Sequence, residues 1–267
     1  MTTAQPHLMP TDAISELLKQ VAAEVILPRW RNLDPSEIDQ KTPGDPVTIA
    51  DREAEVALAD AFRAFVPQVL IVGEEDAFAN PSIVDELGSA PHAFVIDPID
   101  GTKNFAGGSP DFGVMVAETR AGVTTRSWIW QPVHELLYVA ELGAGVRENG
   151  VPMPAMSPRP QPYRVAAWYA LRKLQPAGFE LSITRGACAV DYPRLMAGRI
   201  DGLGYRVANP WDHLPGALMV AELGGQVLLD AAPYVPGGRG RFVFAGATVA
   251  LAREIQQELD GLARTTV

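Results

Sequence analysis

The 267-residue chain has a single cysteine, Cys188, so no intrachain disulfide can form and a stapled secreted scaffold is excluded. No histidine stands in a supporting motif near it, so Cys188 reads as a small buried apolar residue rather than a nucleophile. Nowhere does an apolar run approach the roughly 20 residues of a spanning helix. The opening "MTTAQPH" lacks the basic segment and apolar core of a signal peptide. The expectation is a soluble, cytoplasmic protein with no membrane partner. Positive charge is also short: 22 Lys and Arg against 32 Asp and Glu leave a net charge of -10, and no basic cluster of nucleic-acid-binding type occurs. A direct nucleic-acid role is therefore disfavoured. There is no internal repeat and no long low-complexity tract. What remains is 47% hydrophobic and 20% charged, enough for a sizeable core in one large domain or two closely packed ones.

Hydrophobic periodicity organises that material. Ile14, Leu17, Leu18, Val21, Ala22, Val25 and Ile26 recur at helical spacing, which predicts an amphipathic helix over residues 11–27 with Thr11 as N-cap and Pro28 near its end. A second helix is expected from Thr48, where "TIAD" has the form of a capping box, to about Phe65. Short apolar or alternating runs at residues 69–72, 93–96, 112–117, 125–130 and 136–140 read as strands, the last followed by Gly-rich hairpin turns. Residues 1–155 thus form a half in which helices precede a largely antiparallel sheet. The Pro-rich residues 156–162 are a linker or exposed loop. Residues 156–267 alternate short strands (164–168, 202–207) with helices (189–197, 215–223), a smaller α/β half.

Acidic residues gather where those elements meet. In "VIDPIDGTKNF" Asp97 and Asp100 stand three apart after a buried strand. Either they cap backbone amides in a strand-ending turn, or they face a ligand, because open α/β sheets bind ligands beyond the carboxyl ends of strands. Glu74 and Glu75 follow the strand ending at Val72, and Asp212 stands ahead of a helix. Taken alone Asp212 is a helix cap, and His213 is a surface residue or a support behind a ligand. Hard cations take oxygen ligands and borrow few carboxylates each, so carboxylates from three junctions suit two or more Mg²⁺ ions about 4 Å apart better than one. A turn stiffened by Pro98 would expose the Ile99 carbonyl as a further oxygen ligand. Gly101 and Thr102 then open a turn or helix whose free N–H groups suit a phosphate.

Together "DPVTIAD", "GEE", "DPIDGTKNFAGGSP" and "NPWDHLPGALMVAELGG", with a looser "GACAVDYPRLMAGRIDG", resemble the inositol monophosphatase family of Mg²⁺-dependent, lithium-sensitive phosphatases. The resemblance spans most of the chain. It implies an αβαβα layered sandwich. Glu74, Asp97 and the Ile99 carbonyl would hold one Mg²⁺, and Asp97, Asp100 and Asp212 a second, with a third, looser ion near Glu74 and Glu75. Gly101 and Thr102 would receive the phosphate. Water activated at the metals would attack phosphorus, oriented by Thr102 hydrogen-bonded to Asp51, with Glu74 also serving catalysis and no phosphoenzyme. Lys41 is either a basic residue reaching the phosphate or a solvated loop lysine. A homodimer is also implied.

The substrate implied is inositol monophosphate or a similar small sugar or polyol phosphate. Alternatives are histidinol phosphate, fructose 1,6-bisphosphate and 3'-phosphoadenosine 5'-phosphate, and, from another class, a non-catalytic scaffold. Two departures bear on this choice. Where inositol-specific relatives carry a Glu seven residues before the metal-binding Asp, this chain has Tyr205, followed by Arg206. Where they carry a sugar-facing Ser, it has Ala187. Loss of a charged acceptor and a hydroxyl weakens polyol recognition, and Tyr205 and Arg206 suit an aromatic or more anionic leaving group, or simply pack at the rim.

Overall fold

The computed structural model describes residues 9–174 and 176–265; the opening heptapeptide read above lies outside them. In chain order, helix α1 (Thr11–Val21) leads into the hairpin β1 (Ile38–Thr42) and β2 (Asp45–Thr48), then α2 (Ile49–Phe65), β3 (Leu70–Gly73), α3 (Glu74–Ala79), β4 (Ala93–Asp100) and α4 (Thr102–Ala106). Strands β5 (Gly113–Arg120), β6 (Val123–Gln131), β7 (Leu136–Glu141), β8 (Gly145–Glu148) and β9 (Val151–Pro152) complete a seven-stranded sheet in sequential order from β3. After residues 153–162, which carry no helix or strand, come β10 (Tyr163–Ala167), β11 (Phe179–Ile183), α5 (Cys188–Met196), β12 (Gly202–Tyr205), α6 (Pro210–Glu222), β13 (Gln226–Leu229), β14 (Ala232–Pro233), β15 (Val243–Gly246) and α7 (Val249–Thr265). Their strands form a six-stranded sheet in the order β11-β10-β12-β15-β13-β14.

Strand alternation explains the layering. Phe94 and Ile96 of β4 join Leu18, Leu58 and Phe62 in one core, and Phe62 stacks on Phe94 with ring centres 4.0 Å apart. Val95, between them in sequence, points to the other face and packs with Tyr192 of α5, Leu214 of α6, and Leu203 and Ala245 of the second sheet. Beyond that sheet Val165 and Phe244 pack against Leu251, Ile255 and Leu259 of α7. Helices α1 and α2, sheet, α5 and α6, sheet, α7: this is the αβαβα sandwich expected. Each fully buried Leu or Phe stabilises it by roughly 1.5–3 kcal/mol.

Local details depart from the sequence reading. Thr11 is the first helical residue, with Pro10 preceding it. The "DPID" segment is not a strand-ending turn: β4 runs through Asp100 with an irregular register between Asp97 and Asp100. Such a bulge turns side chains that strict alternation would send to opposite faces. Helix α6 starts at Pro210, so Asp212 lies inside its first turn, and Asn209 holds the cap position.

Candidate active site

The parallel pairing of β3 and β4 sets Gly73 opposite Ile96, so the segments that follow, Glu74 from one and Asp97 from the other, emerge side by side. A Cβ on Gly73 would lie 2.2 Å from the Glu55 carboxyl carbon, so a side chain there would displace the Glu55 carboxylate. Glu55 accepts hydrogen bonds from the N–H groups of Glu75 (2.8 Å) and Asp76 (2.9 Å), which caps α3 and fixes the direction of Glu74 and Glu75. From the second sheet, the chain leaving β12 enters α6, whose first turn brings Asp212 to Asp97 and Asp100; oxygen atoms of these three converge within 4.8 Å of one another.

Each carboxylate also has a structural task. Asp97 Oδ1 accepts the Ile99 N–H (3.1 Å), and Asp100 Oδ2 accepts the Ala189 N–H (2.6 Å) at the start of α5, which ties the first sheet to the middle layer. Asp51 Oδ2 accepts both the N–H (2.8 Å) and the hydroxyl (2.5 Å) of Thr48 in the expected capping box, while its Oδ1 faces the Thr102 hydroxyl at 3.0 Å. That hydroxyl also lies 3.1 Å from the Ile99 carbonyl. Gly101, at φ 88°, makes the turn into α4; a Cβ there would lie 2.8 Å from that of Ala187, so only glycine against a small residue lets the two segments close.

The electrostatics are those of a site built for cations. Burial, reinforced by Glu74, Asp100 and Asp212, pushes Asp97 well above the usual carboxylate range. Burial also raises Asp212, again with Asp100 and Glu74 repelling, and lifts Asp100 to about 7 despite its backbone donors. Asp51 rises to about 6, chiefly by burial. Among the described residues no Lys, Arg or His forms an ion pair with Asp97, Asp100 or Asp212. Buried carboxylates without partners are costly, and a hard cation with oxygen ligands relieves that cost. The donor set therefore fits Mg²⁺: carboxylates at 1% and 7% exposure for Asp97 and Asp100, Asp212 half-buried, and no sulfur or imidazole in the cluster.

The other residues singled out from sequence fall as follows. Thr102, Gly101, Ala187, Tyr205 and Asp212 line one cleft of about 580 Å³ together with Glu74, Asp97 and Asp100. Arg206 is exposed and lies outside its lining. Lys41 is no solvated loop lysine: its ammonium sits 2.7 Å from Glu74 Oε1 and 2.6 Å from Glu75 Oε1. Burial pulls its pKa down, but the two carboxylates outweigh that and hold it above the ordinary lysine value. His213 is not a surface residue. It is fully buried with Nδ1 3.0 Å from the Tyr192 hydroxyl and Nε2 2.8 Å from the Val207 carbonyl, and burial lowers its pKa to about 4. Cys188 is buried, as expected. Two contributors escaped the sequence reading. Glu55 stands one helical turn after Asp51 on the buried face of α2, a spacing that could have revealed it. Asp191, fully buried, anchors Tyr205 through a contact only the fold creates.

Comparison with known proteins gives the family and the fold. The chain is 30% identical over 235 residues to Nus factor SuhB of Salmonella typhimurium, covering 83% of this chain and 85% of that one. An IMPase from Thermotoga maritima superposes with a TM-score of 0.77 at 24% identity, covering 94% of this chain and 97% of that one. An IMPase/NADP phosphatase described as complexed with Mg²⁺ and phosphate gives 0.76 at 21% identity, over 91% and 93%. Residues 7–265 match the profile of the Inositol monophosphatase family, and on a match of that extent the chain belongs to it.

Proposed function

We propose that the chain is a Mg²⁺-dependent phosphomonoesterase that hydrolyses a small phosphorylated metabolite. The observation that carries the reading is the convergence of Asp97, Asp100 and Asp212 within 4.8 Å, the first two buried and the third half-buried, without a basic partner among the described residues. Glu74, Asp97 and the Ile99 carbonyl are the proposed ligands of one ion, and Asp97, Asp100 and Asp212 those of a second. When bound, Mg²⁺ supplies Lewis-acid charge that polarises a phosphoryl group and offsets charge on the oxygens entering and leaving it. That a similarly folded phosphatase is described with Mg²⁺ and phosphate supports the pairing.

The chain's own residues do the positioning. Thr48 saturates one oxygen of Asp51, so only Oδ1 is left to the cleft, and Thr102 occupies it. The Thr102 hydroxyl donates to Asp51 and presents its lone pair to a water molecule; as the water attacks phosphorus, its proton passes through Thr102 toward Asp51. A carboxylate whose basicity is raised by burial suits that role. The first N–H groups of α4, beside Gly101 and Thr102, have no partner within the helix and are proposed to hold the phosphate. The resemblance points to inositol monophosphate or a similar polyol ester, with histidinol, fructose-bis and adenosine phosphates as rivals. A homodimer in the cytoplasm and no nucleic-acid partner are proposed with it, on the resemblance and on the net charge of -10.

The test is phosphate release from that panel with Mg²⁺ and with EDTA, for wild type and Asp97→Asn. Metal-dependent turnover lost in the variant supports the reading. A second reading is a non-catalytic scaffold, favoured by the name Nus factor SuhB, which names no substrate. No turnover on any ester, with Mg²⁺ still bound, would select it.

A further inference from the structure

Tyr205 lines the cleft, but its hydroxyl does not face a ligand. It donates to Asp191 Oδ2 at 2.7 Å. Asp191 is fully buried and also accepts the Arg185 N–H (2.8 Å) and pairs with Arg194 (2.7 Å). Turning the phenol toward a ligand would leave a buried carboxylate one donor short, which costs more than an ordinary hydrogen bond returns. The ring is packed besides, its centre 5.2 Å from that of His213 with the two planes at 65°. What Tyr205 offers the cleft is therefore an aromatic surface. Its neighbours in the wall are Ala187, Cys188 and Val207, and Val207 is 57% exposed, an apolar side chain that gains when covered. Pro43, from the turn between β1 and β2, and Pro46 of β2 line the same cleft. Asp45, at the start of β2, is exposed to water, so a substrate hydroxyl gains little by replacing that water.

We infer that Tyr205, fixed by Asp191, determines the leaving group, and that the preferred substrates are phosphate monoesters whose alcohol presents a planar, apolar face instead of a ring of hydroxyls. The inference rests on the phosphomonoesterase reading and narrows it. Hydroxyls set against Tyr205 and Val207 lose water and meet no side-chain acceptor on that surface, the polar lining residues Thr42, Lys103 and Asn209 standing elsewhere in the cleft, whereas an aromatic ring buries area against Tyr205 and Val207. Asp191 is a positioning residue in this scheme: it touches no substrate and acts by holding the ring.

The experiment compares kcat/KM for 2-phenylethyl phosphate and inositol 1-phosphate with Mg²⁺; the neighbouring hydroxyls make the inositol alkoxide the less basic leaving group, so intrinsic reactivity runs against the expected preference. The expected preference for the phenylethyl ester is about tenfold or more. Tyr205→Gln removes the aromatic face and adds an amide oxygen that accepts from hydroxyls; it should move the ratio toward inositol 1-phosphate by at least about tenfold. Asp191→Asn should raise KM for the phenylethyl ester alone and leave its kcat near wild type, a split that general loss of structure would not produce. Turnover of both esters with a flat or polyol-favouring ratio overturns this inference and leaves the phosphomonoesterase standing. No turnover of either overturns this inference, and the phosphomonoesterase reading is then decided by the wider panel of esters.

Discussion

If the carboxylate cluster awaits cations, protons must take their place when cations are removed, and that makes stability depend on pH in an unusual direction. Asp100 at about 7, Glu75 at about 7 and Asp51 at about 6 are all raised, chiefly by burial, and Asp97 and Asp212 are raised as well. Between the ordinary carboxylate range and pH 7 the native state therefore binds more protons than the unfolded chain, and stability without metal falls as pH rises. Each extra proton is worth about 1.4 kcal/mol per pH unit. Allowing for relaxation and water entry, one net proton held from about pH 5.5 to about pH 7.5 amounts to about 3 kcal/mol, or about 6–12 °C of melting temperature in a chain of this size. Other groups act elsewhere. Glu118 is buried, but His92, Arg126 and Arg120 outweigh burial and hold it at about 2, so its stabilisation is lost only in stronger acid. His213, lowered to about 4, opposes the trend below its ordinary value, but equally with and without metal. The measurement is thermal melting across this range in MgCl₂ and in EDTA. The gap between the two melting curves should widen with pH by that amount. A gap that stays constant, or an EDTA curve that climbs with pH throughout, would refute the reasoning.

Asp100→Asn keeps an oxygen for the Ala189 N–H but removes the buried charge; it should melt above wild type in EDTA by about 1–3 kcal/mol equivalent, respond less to Mg²⁺, and lose phosphate release by about a hundredfold or more. Thr102→Val preserves volume while deleting the hydroxyl beside Asp51, so kcat should fall by about 10²–10⁴ with the Mg²⁺-induced melting shift intact. Gly73→Ala forces a methyl into the Glu55 carboxyl and should cost about 1–3 kcal/mol in urea unfolding, with unchanged slope. Lys41→Met frees Glu74 and Glu75 from an ammonium, so titration with Mn²⁺ should show an additional weak site; an unchanged stoichiometry would mean that the lysine was not occupying it.

Sequence periodicity revealed most of the strands and the acidic junctions, because both rest on local patterns: alternation in "AFVI", a capping box in "TIAD", carboxylates following apolar runs. It missed what depends on register and on distance along the chain. Asp97 and Asp100 looked like a turn because Pro98 and Gly101 are turn formers, yet β5 pairs with both Asp97 and Asp100 and draws the segment into the sheet. Tertiary pairing overrode local propensity there. Asp212 looked like a cap because Pro215 suggested a later helix start, but Pro210 is the residue in the first helical position and Pro215 is accommodated inside α6. The Asp191–Tyr205 bond joins residues 14 apart from a helix and a strand of different layers, and no spacing rule predicts it.

The double duty of the carboxylates explains how such a cluster survives folding at all. Mutual repulsion among Asp97, Asp100 and Asp212 opposes bringing β4 and α6 together, and no basic residue offsets it among the described residues. Asp100, however, satisfies a backbone donor of α5, Asp51 closes the cap of α2, and Glu55 caps α3 directly behind Glu74. These bonds are made whether or not a cation is present, and each contributes on the order of 1 kcal/mol. Lys41 meanwhile neutralises the Glu74 and Glu75 side of the site. The arrangement thus holds its ligands in place through contacts that face away from the cleft, so a cation meets a formed site and its binding energy is not spent on ordering the backbone.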